Sequence, residues 1–222
     1  NPAPHPGLYE RWPEVYISMG ETAENLARKF QISRSEQQDF AVVSHERAAG
    51  AREAGKLKDE IVGIKANGVA VEEDGCIRPG TDQASLDGLH PAFDKDGTVT
   101  AGTSSPLTDG ATAVLVCSED YADAHGHEKL ARIKSIAVHG CAPEIMGIGP
   151  VGATKKALER AGLELKDIDV IELNEAFAAQ ALAVVRETGM DLDKINIDGG
   201  ALALGHPLGA TGARITGKAA SL

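Results

Sequence analysis

The stretch from Gly199 to Arg214 constrains the fold most, because it places five glycines within fourteen residues around His206 and Pro207. Residues 194–198 before it alternate polar and apolar side chains, which predicts the end of a buried strand. Residues 213–220 after it predict a helix. A strand, a glycine loop and a helix are where α/β proteins place their chemistry, since glycine lets backbone and ligand approach closely. A lone loop histidine is usually a surface residue, so His206 by itself does not establish catalysis.

Strands and helices are predicted to alternate over the second half of the chain. Strands are expected at residues 131–138, 167–173 and 195–197, and helices at residues 150–161 and 175–187. This alternation indicates a mostly parallel sheet that is covered on both faces, and therefore an α/β fold.

The first half has weaker periodicity. Residues 1–18 read as an irregular lead-in, Met19 opens a helix, and Ser33 with Glu36 forms a capping box before a second helix that runs to Gly55. Residues 56–64 predict a short strand entry, and residues 65–97 lack a long periodic element, as a functional or disordered loop would. Residues 111–117 predict a buried strand.

Composition excludes several classes of protein. The formal net charge of -11 argues against nucleic acid as the main partner, since phosphate binding favours a basic face. No apolar run is long enough for a membrane span. The three cysteines are widely spaced and odd in number, which fits a reducing compartment, and we expect a cytoplasmic protein.

Two motifs carry a family resemblance. Residues 199–214 resemble the signature loop of the thiolases, which make or cleave 3-ketoacyl-CoA, and residues 174–178 resemble their Asn-Glu-Ala-Phe element. The resemblance implies a thiolase-like, partial layered α-β-α fold with a mostly parallel sheet and an inserted loop domain. It divides the chain into a loop domain covering coenzyme A (1–110), the last strand of the N-terminal half (111–119) and an incomplete C-terminal half (128–222).

The resemblance also assigns site residues. His206 matches the histidine that activates the nucleophile and donates to the thioester oxygen, and Asn174 matches the asparagine that holds a catalytic water. Positions expected to contact coenzyme A or to line its tunnel are Met19, Arg78, Ser85, Leu89, Phe93, Ser105, Met146 and Phe177. Coenzyme A thioesters are then substrates, no cofactor is needed, and a homodimer or homotetramer is expected. Read without the resemblance, Glu175 is a first-turn helix acid and Phe177 is plain core.

The cysteines depart from the family pattern. The family's nucleophilic cysteine precedes the region where this chain begins, and its second catalytic cysteine follows the region where it stops. Cys76, Cys117 and Cys141 match neither position. We therefore expect a central fragment of a thiolase that is inactive alone. Pro106 stands where many biosynthetic members of the family have glycine, which favours degradative cleavage over synthesis in the parent protein.

Alternative interpretations remain open at this point. A non-catalytic acyl-CoA-binding protein would retain the tunnel and lose the thiols. An NAD-dependent oxidoreductase is suggested by the G-x-G-x-x-G pattern at residues 147–152, but an irregular segment and Pro150 disfavour it. Residues 212–218 resemble a phosphate-binding loop, yet Ala219 stands where serine or threonine would hold magnesium. Histidines and cysteines at residues 125–141 fit no zinc pattern, so no metal site is expected.

Overall fold

The structure, a computed structural model, describes residues 3–222. Its α-helices are α1 (Pro6–Arg11), α2 (Met19–Lys29), α3 (Arg34–Glu53), α4 (Gln83–Asp87), α5 (Glu119–His125), α6 (Gly149–Ala161), α7 (Ala178–Thr188), α8 (Ala201–Leu204) and α9 (Leu208–Ser221). Single 3-10 turns span Pro13–Tyr16, Lys58–Glu60, Ala101–Thr103, Pro143–Ile148, Leu165–Asp167 and Leu192–Lys194. Residues 1 and 2 of the predicted lead-in lie outside the described part, and the rest of that lead-in contains α1.

The two long helices of the first half begin where the sequence predicts. Ser18 and Glu21 form a capping box at α2, and Ser33 and Glu36 form one at α3. In each box the serine hydroxyl accepts the N3 amide and the glutamate accepts the amide of the cap residue, so two otherwise unpaired donors are satisfied. The helix predictions for this half are confirmed, although α3 ends at Glu53, two residues before Gly55.

α7 is the central helix of the core. It buries a face of small residues, and it packs against α2, α3 and α6. Ala179 contacts the cluster of Ala23, Ala27 and Val99, whereas Val184 lies among larger apolar side chains that include Ile195. The small side chains allow α2 and α3 to approach α7 closely, so both halves of the chain share one core.

Several predicted helix boundaries differ from the structure. α6 and α7 end at Gly162 and Gly189 in the left-handed conformation, as the sequence predicts. α7, however, begins at Ala178 rather than at residue 175, because Ala176 and Phe177 pair with residues 104–105 instead of joining the helix. α9 begins at Leu208, five residues earlier than predicted, so the second part of the glycine stretch is helical.

The regular sheet is a hairpin that the sequence prediction placed wrongly. β1 (Ile64–Ala66) and β2 (Val69–Val71) pair antiparallel, whereas residues 56–63 form a 3-10 turn and irregular chain. Asn67 and Gly68 both have positive φ, which is the geometry of a two-residue hairpin turn. The Asn-Gly pair is a strong sequence signal for a hairpin turn, and the strands form on either side of it rather than at residues 56–63.

The predicted parallel strands are reduced to one bridge. Ile171 pairs with Ile195 in parallel, and within residues 3–222 the segments 111–117 and 131–138 join no ladder. The prediction of a buried strand at 111–117 is therefore wrong for this structure: Leu115 is 70% exposed and Cys117 is exposed. A strand needs a neighbour to pair its backbone groups, and no described segment supplies one there.

No helix among residues 3–222 is both long enough and apolar enough to cross a membrane.

Candidate active site

The glycine stretch bends so that His206 projects from the end of α8. Gly205 has φ +95°, and a Cβ at this position would lie 2.7 Å from Cγ2 of Thr108. Only glycine combines that backbone conformation with so close a contact. The bend brings the backbone amide of His206 to the Thr108 hydroxyl, to which it donates a hydrogen bond of 3.0 Å.

Three polar groups hold the His206 ring and its backbone. Besides Thr108, the Thr211 hydroxyl lies 2.7 Å from Nδ1, and Nδ2 of Asn174 lies 3.3 Å from Nε2. The two residues that the resemblance assigns to catalysis are therefore in direct contact, although 32 positions separate them. An imidazole with one nitrogen held and the other beside an amide is poised for proton transfer at Nε2.

The surroundings of His206 favour the neutral ring. Burial lowers its pKa, and the positive charge of Arg214 lowers it further. Both effects disfavour the imidazolium form. At neutral pH His206 is therefore present mainly as a base able to accept a proton.

Asn174 is positioned by buried polar groups on both sides. The Asn196 side chain accepts from the amide of Leu173 at 2.9 Å and donates to the carbonyl of Leu173 at 2.8 Å. On the other side, Glu175 is 2% exposed and accepts hydrogen bonds from the Ser44 hydroxyl, the Asn196 amide group and the Leu202 backbone. Oδ1 of Asn174 is buried and has no hydrogen-bond partner within residues 3–222, so its capacity to accept a hydrogen bond is unused by the described residues.

Glu175 is thus not the first-turn acid of a helix. Burial raises its pKa, against the lowering effect of hydrogen bonds from Ser44, Asn196 and Leu202. Its carboxylate joins α3, the segment before α7 and the start of α8 in one network. Gly200 leaves the space for this carboxylate, since a Cβ there would lie 2.1 Å from it.

Four of the predicted substrate-contacting residues lie in one neighbourhood. The rings of Phe93 and Phe177 pack edge to face with centroids 5.6 Å apart, so Phe177 takes part in both an aromatic pair and the core cluster. Phe93 covers Gly20, which follows the exposed Met19. The amide of Ser105 donates to the carbonyl of Ala176 at 3.0 Å. Three residues after Ser105 lies Thr108, whose hydroxyl accepts the hydrogen bond from the His206 amide.

The other four form no hydrogen bond with His206 or Asn174 in the described residues. Leu89 packs against a cluster that contains Leu86, Ala178 and Leu202, and the Ser85 hydroxyl is engaged in the cap of α4. Arg78 is exposed, and its backbone amide donates to Nδ1 of His45 at 3.2 Å. Met146 is 45% exposed in the 3-10 turn before α6.

The two nucleotide-like motifs have structural roles. At Gly147 a Cβ would lie 2.6 Å from Gln180, and at Gly152 it would lie 2.4 Å from the His139 ring, so these glycines permit close packing. Lys218 of the second motif is in α9 and is buried against Glu60. Among residues 3–222 no group of three His, Cys, Asp or Glu side chains is arranged to hold a metal ion.

Family models match nearly the whole chain. The model of the thiolase N-terminal domain matches residues 7–120, and the model of the thiolase C-terminal domain matches residues 127–222. The chain belongs to the thiolase family. This confirms the family resemblance on which the site residues were assigned.

Individual thiolases give the same result. The chain is 49% identical to 3-ketoacyl-CoA thiolase of Bacillus subtilis (strain 168), covering 96% of this chain and 58% of the relative. It is 52% identical to acetyl-CoA acetyltransferase of Chromobacterium violaceum, covering 89% of this chain and 52% of the relative. Human mitochondrial 3-ketoacyl-CoA thiolase, solved in complex with CoA, superimposes with a TM-score of 0.91 at 48% identity over 94% of this chain and 53% of that chain.

These relatives establish a thiolase fold of the α/β class, as predicted. The chain spans little more than half the length of the thiolases it matches.

Sequence reasoning missed both threonines that hold His206. Thr211 lies five positions after the histidine in the signature loop, and Thr108 lies 98 positions before it. Thr211 lies in the first turn of α9, which places its hydroxyl beside the ring of His206. The sequence prediction started this helix at residue 213 and so left Thr211 in the loop. Thr108 gave no signal, because threonine near a turn is ordinary turn chemistry.

Proposed function

We propose that this chain supplies the histidine and asparagine of a thiolase active site that transfers an acyl group between 3-ketoacyl-CoA and coenzyme A. The contact between Nε2 of His206 and the Asn174 amide carries the proposal. It joins a neutral base to a polar group with a free buried oxygen in a chain that belongs to the family.

The reaction has a defined use for both groups. In thiolysis a cysteine thiolate attacks the 3-keto carbon, the bond between C2 and C3 breaks, and protonation of C2 releases acetyl-CoA. The thiol of a second coenzyme A then attacks the acyl-cysteine and restores the free cysteine. Nε2 of His206 accepts the thiol proton of the nucleophile, and Oδ1 of Asn174 accepts a hydrogen bond from a water, which can in turn donate to the thioester oxygen.

We assign the nucleophilic thiol to none of the three cysteines. Cys117 and Cys141 are exposed, Cys76 is half-buried, and no cysteine sulfur within residues 3–222 is hydrogen-bonded to His206. The same observation favours a second candidate function, a non-catalytic thiolase-like protein that binds acyl-CoA. The presence or absence of turnover in an otherwise complete thiolase separates the two.

The substrate contacts in the proposal follow the neighbourhoods described above. Met19, Phe93, Phe177 and Ser105 are proposed to line the pantetheine path, since they adjoin the segment that leads to His206. Arg78 is proposed to face the nucleotide phosphates, because its exposed guanidinium forms no ion pair in the described residues. Roles for Ser85, Leu89 and Met146 rest on the family motif alone.

Assembly and location complete the proposal. Apolar side chains such as Leu115, Ile136 and Val138 are more than two-thirds exposed, at 70%, 78% and 83%, and exposed apolar surface of this kind is typical of a buried interface. We infer a homodimer or homotetramer of the complete protein, in the cytoplasm, where free cysteines persist.

The test is a chimera in which this chain replaces the matching region of the Bacillus subtilis thiolase. We expect thiolysis of acetoacetyl-CoA by the chimera and a fall in kcat by about 10²- to 10⁴-fold in His206→Ala, because general base catalysis contributes on that scale. His125→Ala, a change at an exposed histidine, is the matched control and should leave kcat unchanged.

A folded chimera without turnover that still binds acyl-CoA would favour the non-catalytic alternative, and near-normal turnover in His206→Ala would refute the assigned role. The 222-residue chain assayed alone is expected to show no turnover.

A further inference from the structure

A chain of polar contacts runs behind the His206 ring, away from Asn174. Nδ1 of His206 lies 2.7 Å from the Thr211 hydroxyl, and that hydroxyl donates to the carbonyl of Pro207 at 3.0 Å. Thr211 is 4% exposed, so water does not compete for its hydroxyl. The contact joins the first turns of α9 to the histidine that precedes the helix.

The direction of each hydrogen bond in this chain follows from its neighbours. The Asn174 amide nitrogen can only donate, so Nε2 of His206 is the acceptor and carries the lone pair. The ring proton is then on Nδ1, and its acceptor is the Thr211 oxygen. Thr211 has one hydroxyl proton, which goes to the Pro207 carbonyl. With the Asn174 amide oriented as in this structure, the ring proton and the Thr211 hydroxyl proton each have an acceptor, and no two donors face each other, only when the ring is in this tautomer.

We propose that Thr211 is a positioning residue that, together with Asn174, fixes His206 in the Nδ1–H tautomer and thereby keeps the lone pair on Nε2, where it faces Asn174 and can take a proton. The opposite tautomer, with the proton on Nε2, would place two donors against each other at the Asn174 contact. If Thr211 donated to Nδ1, the proton would move to Nε2 and would meet the amide hydrogens of Asn174. Two donors would then face each other at a part-buried site, which costs free energy because neither is satisfied.

The backbone of His206 is fixed independently of the ring. Its amide donates to Thr108, a residue on the segment that leads from Ser105. Thr108 therefore sets where the histidine lies, whereas Thr211 sets which ring nitrogen is free. A change at Thr211 should alter the proton distribution without displacing the main chain.

Nitrogen-15 NMR of His206 in the 222-residue chain tests the inference directly. We expect the neutral wild-type ring to show Nδ1 protonated and Nε2 unprotonated, and Thr211→Val to populate both tautomers. Thr211→Ser keeps the hydroxyl and should keep the wild-type pattern. Thr216→Val is the matched control, since Thr216 makes the same bond to a carbonyl four residues earlier in α9, at 2.7 Å, in an exposed position without a histidine contact. A wild-type ring protonated at Nε2, or an unchanged tautomer in a folded Thr211→Val, overturns the proposal.

Kinetics supply a second readout, which rests on the proposed function. In the chimera, Thr211→Val should lower kcat by about 10- to 100-fold, the range known for removing the partner that orients a metal-ligating histidine, while KM changes less than about twofold. The Thr211→Ser variant should recover most of the rate. If the tautomer shifts but the rate does not, the proposed function fails and the positioning inference stands; if the rate falls with the tautomer unchanged, the positioning inference fails.

Discussion

At the scale of single residues, Glu172 has the least favourable environment near the site. Its carboxylate oxygens are buried without a hydrogen-bond partner among residues 3–222. Burial raises its pKa to about 7, an effect opposed by the charges of Arg214 and Lys218 and assisted by Glu175. A carboxyl whose pKa is raised in the folded state destabilises that state when it ionises. Below about pH 4.5 Glu172 is neutral in both the folded and the unfolded state and does not destabilise the fold. As the pH rises from there through about 7, its ionisation lowers the free energy of unfolding.

Replacing Glu172 with glutamine should stabilise the protein at high pH. The amide keeps the shape and has no charge to desolvate, so we expect the free energy of unfolding of Glu172→Gln to exceed that of the wild type by about 2 kcal/mol at pH 8 and to differ little at pH 4.5. Urea denaturation at both pH values measures this. Glu187→Gln, at an exposed position of α7, is the control and should show no pH-dependent gain. An equal gain at both pH values would contradict the titration of Glu172.

At the scale of elements, the glycine stretch contains α8 and the first turns of α9, with glycines of positive φ before and after α8. Gly199 has φ +88°, and a Cβ there would lie 2.5 Å from Cβ of Ala48 in α3. The glycine therefore permits both the turn and the contact between this stretch and α3. Gly209, within α9, has no atom within 4 Å of the equivalent position.

Two glycine-to-alanine changes should consequently have opposite effects. We expect Gly199→Ala to lower the free energy of unfolding by about 2 kcal/mol or more, since it adds backbone strain and a steric overlap. Gly209→Ala should be neutral or should stabilise by up to about 1 kcal/mol, because alanine is the better helix former. Chemical denaturation of the two variants side by side measures the difference, and similar values for both would show that the packing of Gly199 against Ala48 is not tight.

The elements also show what sequence patterns can and cannot predict. Ser33 and Glu36 predict the start of α3 correctly because a capping box satisfies backbone donors locally. The strand predicted at residues 111–117 depends on a partner elsewhere in the chain, and local periodicity carries no information about that partner. For the same reason the motif predicts that His206 and Asn174 are functional, but neither Thr108 nor the Glu175 network follows from any local pattern.

At the scale of the whole molecule, a buried ion cluster joins the two halves of the chain. Nζ of Lys218, which is 5% exposed, lies 2.7 Å from Glu60 and 2.7 Å from Asp198, and Lys56 lies 2.8 Å from Asp198. Burial alone would raise the pKa of Asp198, but hydrogen bonds from the two lysines outweigh it and lower the pKa. The stabilisation from Asp198 is therefore present above pH 3.8 and is lost as the pH falls below that value.

Removing the central cation should destabilise the whole fold. In Lys218→Met the exposed Glu60 loses its partner and the buried Asp198 keeps Lys56 alone, so we expect a loss of about 1 to 3 kcal/mol. Lys155→Met, at an exposed position of α6, should change the free energy of unfolding by less than about 0.5 kcal/mol. Urea denaturation measures both. Adding Asp198→Asn to Lys218→Met should restore part of the loss, and a double variant no more stable than Lys218→Met would argue against electrostatic repulsion as the cause.

The contacts around His206 join segments that are far apart in the chain. The bond to Thr108 crosses 98 positions, and the Ser44–Glu175 bond behind Asn174 crosses 131. Closing loops of that length costs conformational entropy before any contact compensates for it, so such contacts form late in folding and slow it. We therefore expect the contacts that hold His206 to form late, so that a chain with its helices formed but these contacts missing would not yet hold the histidine in its proposed place.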